Sequence, residues 1–238
     1  LSVEDILIRS SNIGTLLIAR KVGEEKFKQF IKNTKILKRP DLQLEEVGNP
    51  INFKWNKCKL ETVSFGHGIT TTPLQAVAVY ASLVNGGKMI KPNIIKNDKI
   101  YETKRLISEK TSLEIIDILR KVVTDENGTA SLADVDGYYV GGKTGTSQNY
   151  GNKKENLNTF ISIFPSQKPK YVLLVMLEDP KVAKDLIYDY RGVKIKGTRN
   201  EAGWNSAYVT GKIIEKIGPI LAIKSEEFNK HYVAENIN

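Results

Sequence analysis

Lys143 stands where its neighbours could let it do chemistry. It lies in GGKTGTSQ (141–148), directly after the aromatic-apolar run YYV. An ammonium is a compact point charge suited to an anion, and the flanking Thr144 and Thr146 add hydroxyl donors. Gly145 has no Cβ, so a ligand backbone can lie against this strand and pair with it as an added strand. A second group, Ser10-Ser11-Asn12, opens a helix. Alone it reads as ordinary capping, because Ser and Asn side chains accept bonds from the first amides of a helix. KTGT is less ordinary: at average residue usage it arises by chance in roughly one sequence in 400 of this length.

Two other chemistries compete for the same residues. Gly137, Gly142, Lys143 and Thr144 satisfy the phosphate-binding pattern G-x-x-x-x-G-K-[ST]. That loop must open a long helix, and TGTSQNYGNKKENLN, which follows Lys143, has no apolar helical stripe. Cysteine catalysis needs a histidine partner. Cys58 is the only cysteine, and His67 and His231, the only histidines, lie in no recognisable protease signature. A single cysteine also forbids an intrachain disulfide. His67, between two glycines in FGHG, reads as a turn or packing residue.

Composition bounds the rest. The 238 residues suit one large domain, 40% of them hydrophobic and 26% charged. The net charge is +9, with the lysines scattered, which describes a solvated basic surface. Without zinc-finger spacing or an arginine-rich tract, nucleic acid is not an expected partner. No run of 18 apolar residues is long enough to span a bilayer.

Several elements must position these groups. SSNIGTLLIARKVG (10–23) predicts a helix that Gly23 ends, and EEKFKQFIKN (24–33) a short amphipathic one. Residues 34–62 lack periodicity and read as an irregular connection. TTTPLQAVAVYASLVNGG (70–87) carries Thr72 as cap and Pro73 at the first helical position; its apolar interior predicts burial. SEKTSLEIIDILRKVVTDENG (108–128) predicts another helix capped by Ser108. Strands follow at 137–148, 158–167 and 170–180, the last two as an antiparallel hairpin. Trp204–Ile223 predicts a final helix, and the polar residues 224–238 a frayed tail. The expected fold class is α+β, with an antiparallel sheet of about five strands flanked by helices and one domain over residues 1–223.

The motifs, taken together, resemble those of penicillin-recognising serine acyl-transferases: S-x-x-K, then S-x-N, then K-T-G. RSSNIGT, SFGHGITTTPLQAVAVYASLVNGG, NGTA (127–130) and YYVGGKTGTSQ resemble the transpeptidase domain of class B penicillin-binding proteins, FGHGITTTPLQ most closely its septal, division-type branch. The resemblance implies a serine β-lactamase/transpeptidase-like fold. It implies a peptidoglycan D,D-transpeptidase that cross-links stem peptides by serine acyl transfer, is trapped by β-lactams, and needs no metal or cofactor. Implied partners are stem peptides, β-lactams, a septal glycosyltransferase and divisome proteins. The implied location is the inner membrane, through an anchor preceding this stretch, with the catalytic domain in the periplasm.

The resemblance also assigns roles. Ser10 matches the S-x-N serine and would relay a proton to the leaving amine; Asn12 would hold the donor-peptide carbonyl; Lys143 would supply positive potential. Ser11, Thr144, Gly145 and Thr146 would contact the substrate, with the Thr146 amide in the oxyanion hole. No serine has Lys three residues on, so the resemblance implies a nucleophile outside this stretch, which alone should form no acyl-enzyme. Residues 184–208 and TKILKRPDLQLEEVGNP depart from the family pattern. Alternatives stay open: an elongation-type relative, a serine β-lactamase with Glu45, Glu46 or Glu61 as deacylating base, or a non-catalytic sensing or scaffold module.

Overall fold

The computed structural model describes residues 1–42, 44–45, 47–51, 53–56, 59–95, 104–150 and 154–235. Cys58, Glu46 and residues 151–153 lie outside them. Helix α1 (Val3–Ile8) is held by a capping box in which Ser2 and Asp5 satisfy each other's amides. Helix α2 (Asn12–Val22) follows after a turn, with Ser11 as cap, and ends at Gly23. Helix α3 (Glu24–Thr34) lies beside it, and helix α4 (Lys59–Ser64) occupies the end of the 34–62 stretch that the sequence reads as irregular. Helix α5 (Pro73–Val84) starts as expected, with the Thr72 hydroxyl receiving the Gln75 amide. Helix α6 (Glu109–Thr124) is capped by Ser108 in the same way.

Strands β1 (Gly141–Tyr150), β2 (Lys154–Phe164) and β3 (Tyr171–Glu178) form one antiparallel sheet in chain order. Lys143 pairs with Ile161 and Gly145 with Thr159 across β1 and β2. Strands β4 (Ile187–Tyr190) and β5 (Val193–Lys196) make a separate two-stranded ribbon. The five strands therefore divide three and two instead of lying in one sheet. The ribbon closes on Arg191-Gly192, both at positive φ (55° and 78°), the tight turn whose twist matches paired strands. Its aromatic side chains turn inward: Tyr190 stacks on Trp204 at 5.1 Å, and Tyr188 meets Tyr208 edge-on. Helix α7 (Ser206–Glu235) closes the order and continues helical past residue 224, where a frayed tail was expected.

The core lies between the sheet, α6 and α7. Val122, Val123, Val140, Phe160, Phe164 and Ile214 are its fully or nearly fully buried members. Arg120 locks the start of β1 from α6, donating at 2.6 Å to the Val140 carbonyl and at 2.7 Å to Asp134. At Gly142 a Cβ would sit 2.5 Å from both the Phe160 ring and the Ile161 carbonyl. The glycine before Lys143 therefore lets the core close beneath the strand.

Candidate active site

Ser10 sits in the turn between α1 and α2 with φ of 55°, a left-handed conformation uncommon outside glycine. The turn is held by the Ser10 amide to Leu7 and the Ser11 amide to Ile6. Lys143, on β1, donates to the Ser10 hydroxyl at 2.7 Å across 133 residues of chain, and to the Thr144 carbonyl at 3.2 Å. No carboxylate partners its ammonium among the described residues. Burial pushes the Lys143 ammonium down to about 8, well below an ordinary lysine. A lysine so placed exchanges its proton near neutral pH and hands it to a bonded hydroxyl, while its charge attracts an anion.

Ser10, Asn12, Lys143 and Thr144 line one cavity of about 400 Å³. Its remaining walls are largely apolar, from Ile6, Leu7, Phe65, Tyr80 and residues of α6. No carboxylate lines it among the described residues. The structure thus brings together Ser10, Asn12, Lys143 and Thr144. Thr146 lies further along β1, its hydroxyl accepting the Ala202 amide at 3.3 Å. Ser11 is not brought to the cavity: its hydroxyl caps α2 by accepting the Gly14 amide at 3.1 Å. At Gly145 a Cβ would fall 2.6 Å from the Thr159 hydroxyl, so the close approach its missing side chain permits here is to the neighbouring strand. The opposite edge of β1 pairs with no strand among the described residues.

Three contributors escaped the sequence reading. The Thr129 hydroxyl pairs with that of Thr144 at 2.8 Å, giving the NGTA stretch a direct hold on the KTGT strand. Thr159 bonds the Gly145 carbonyl at 3.3 Å. Buried Asn158 donates to the Asn200 carbonyl and so anchors the loop that reaches Thr146. Cross-strand register puts Asn158 and Thr159 behind the motif, and the packing of the loop after α6 puts Thr129 there; one sequence displays neither.

A family model described as the penicillin binding protein transpeptidase domain matches residues 1–197. The chain belongs to this family. It is 33% identical to the probable peptidoglycan D,D-transpeptidase FtsI of Caulobacter vibrioides, covering 94% of this chain and 39% of that protein. It is 29% identical to the stage V sporulation protein D of Bacillus subtilis, covering 92% of this chain and 34% of that one. The chain thus spans well under half the length of these relatives. The transpeptidase domain of penicillin-binding protein 3 from Burkholderia pseudomallei superposes with a TM-score of 0.76 at 22% identity, over 92% of this chain and 65% of that one. The Mycobacterium tuberculosis penicillin-binding protein 3, solved with ampicillin, gives 0.75 at 23% identity, over 91% of this chain and 51% of that one. Both share the mixed antiparallel fold described above.

Proposed function

We propose that this chain supplies the S-x-N and K-T-G half of a septal peptidoglycan D,D-transpeptidase. The observation that carries the reading is the 2.7 Å contact between Lys143 and Ser10. A serine attacks the carbonyl of the penultimate D-Ala of a stem peptide, D-Ala leaves, and an amine from a neighbouring strand resolves the ester. The attacking serine belongs to S-x-x-K, which this sequence does not contain. Ser10 passes the proton to the leaving amine, since its hydroxyl both accepts from Lys143 and donates onward. Asn12 orients the donor carbonyl from the same cavity wall. The Lys143 ammonium draws the terminal carboxylate, which Thr144 and Thr146 bind. The Thr146 amide serves the oxyanion, an interaction whose loss typically costs about 3 kcal/mol.

The free edge of β1 suits a substrate laid down as an added strand. β-Lactams, which mimic the acyl-D-Ala-D-Ala bond, would be held at the ester. The absence of a carboxylate from the described cavity lining favours this over a β-lactamase, which needs a deacylating base. Glu61, one of the candidate bases, is instead paired with Arg20 at 3.3 Å. The whole protein works at the inner membrane with its domain in the periplasm, alongside a septal glycosyltransferase and divisome proteins. The chain's own domain runs over residues 1–223. None of its described helices is long and apolar enough to cross a membrane.

Labelling of the full-length protein with a fluorescent penicillin tests the proposal. A stable covalent label is expected. Rapid release of hydrolysed product would make the protein a β-lactamase, and no label would make it a scaffold.

A further inference from the structure

A different face of α5 floors a second cavity, of about 550 Å³. Lys35, Lys38 and Arg39, which follow α3, stand on its wall together with Lys91 and Lys104. Asp41 is the one carboxylate among the described lining residues, and it is bound to Lys91 at 2.7 Å. Lys38, Arg39 and Lys104 form no salt bridge among the described residues, while Lys35 lies close enough to Asp41 to help hold its carboxyl below the usual range. The floor is apolar where Ala78, Val79, Met89 and Ile90 line it.

The polar groups of the lining narrow the ligand. Thr34 donates to the Ile31 carbonyl at 2.7 Å, and Ser82 donates to Ala78 while accepting the Ile90 amide at 2.8 Å. Both are satisfied. Gln75 is only 8% exposed and lines the same cavity; its side-chain amide bonds no protein group among the described residues and is open to the cavity's solvent. Its donors and acceptor are therefore available to a ligand that replaces water there.

We propose that this cavity binds an acidic peptide segment of a partner protein. An amide offers one acceptor and two donors, the complement of a peptide group, whereas a phosphate would use the donors alone. The apolar floor takes a hydrophobic side chain of the segment, and the cations meet its carboxylates. A flat anionic lipid surface would engage protruding lysines and leave the recessed Gln75 unused.

Fluorescence anisotropy of the full-length protein with a fluorescein-labelled hexapeptide of alternating glutamate and leucine tests this. The double variant Lys38→Glu, Arg39→Glu should weaken binding at least ~10-fold, because it reverses charges that face the ligand directly. Gln75→Leu, which changes no charge, should weaken it at least ~3-fold. Lys194→Glu with Lys196→Glu, on the exposed ribbon, makes the same change in net charge and should alter binding less than ~2-fold. Circular dichroism checks folding, and Gln75→Met replaces Gln75→Leu if that variant unfolds. Equal losses from the two double variants would overturn the proposal in favour of diffuse attraction to a basic protein. An unaltered affinity in the Gln75 variant would overturn it as well. So would the absence of peptide binding, including a case where vesicles of mixed phosphatidylglycerol and phosphatidylcholine bind through Lys38 and Arg39.

Discussion

Two lysines tie the first helices to the rest of the molecule. Lys121, on α6, reaches α1 through Glu4 at 2.7 Å and also holds Asp117 at 2.7 Å. Lys143, on β1, reaches the turn after α1 through the Ser10 hydroxyl. Hydrogen bonds that the Lys121 ammonium donates to Asp117 and Glu4 hold it well above the usual lysine range, so it stays charged and joins two helices. Lys143 has lost water without gaining a carboxylate, and its proton is correspondingly loose. Both contacts reach the first helices, and only the one without a counter-charge is equipped to pass a proton. An exchangeable proton here comes from what the environment withholds.

The largest expected contrast is in acylation of the full-length protein by fluorescent penicillin. Lys143→Ala should slow it by ~10²–10³, the scale of removing one electrostatic contact to the reacting groups. Lys121→Ala should leave the rate unchanged within error. Equal losses would erase the distinction between the two seams.

The next contrast is in pH dependence. The working form of Lys143 is the ammonium, so acylation should fall by roughly tenfold per pH unit above its value of about 8. The sign for stability is the reverse. Between about 8 and the ordinary lysine value, the unfolded chain holds a proton that the folded one has shed, so stability rises with pH. Lys143→Met should remove that rise in denaturant titrations across this range, and a slope that survives the substitution would assign it elsewhere.

Smaller effects sharpen the account of how β1 is supported. Gly142→Ala forces a methyl against Phe160 and should cost about 1–3 kcal/mol in chemical denaturation. Thr129→Val removes the partner of Thr144 and should cost about 1 kcal/mol, with a few-fold loss of acylation. If Thr129→Val changed stability alone, its bond to Thr144 would hold the fold without serving the site.

What the sequence made legible follows from how locally each feature is encoded. Thr72 with Pro73 and Ser108 marked the starts of α5 and α6, because caps act within three residues. Lys143, Thr144, Ser10 and Asn12 were legible as a motif, and the structure brings them to one cavity. The β4–β5 ribbon lies in a stretch whose sequence stands out mainly as a departure from the family pattern, although IYDYRGVKIK alternates and turns on Arg-Gly. A second constraint on Gly145 is hidden for a different cause. Thr159 is its neighbour only through strand register, so the crowding at that position has no local signature. The place of Gln75 on a cavity wall is equally invisible, since it reads as one more residue in an apolar helix.

The central claim is that Ser10 and Lys143 work as one unit. A double-mutant cycle on the penicillin acylation rate of the full-length protein tests it with Ser10→Ala, Lys143→Ala and the pair together. The double variant should be no slower than the slower single variant, because either change breaks the same relay. Losses that multiply would mean that the two groups act independently, and would contradict the account.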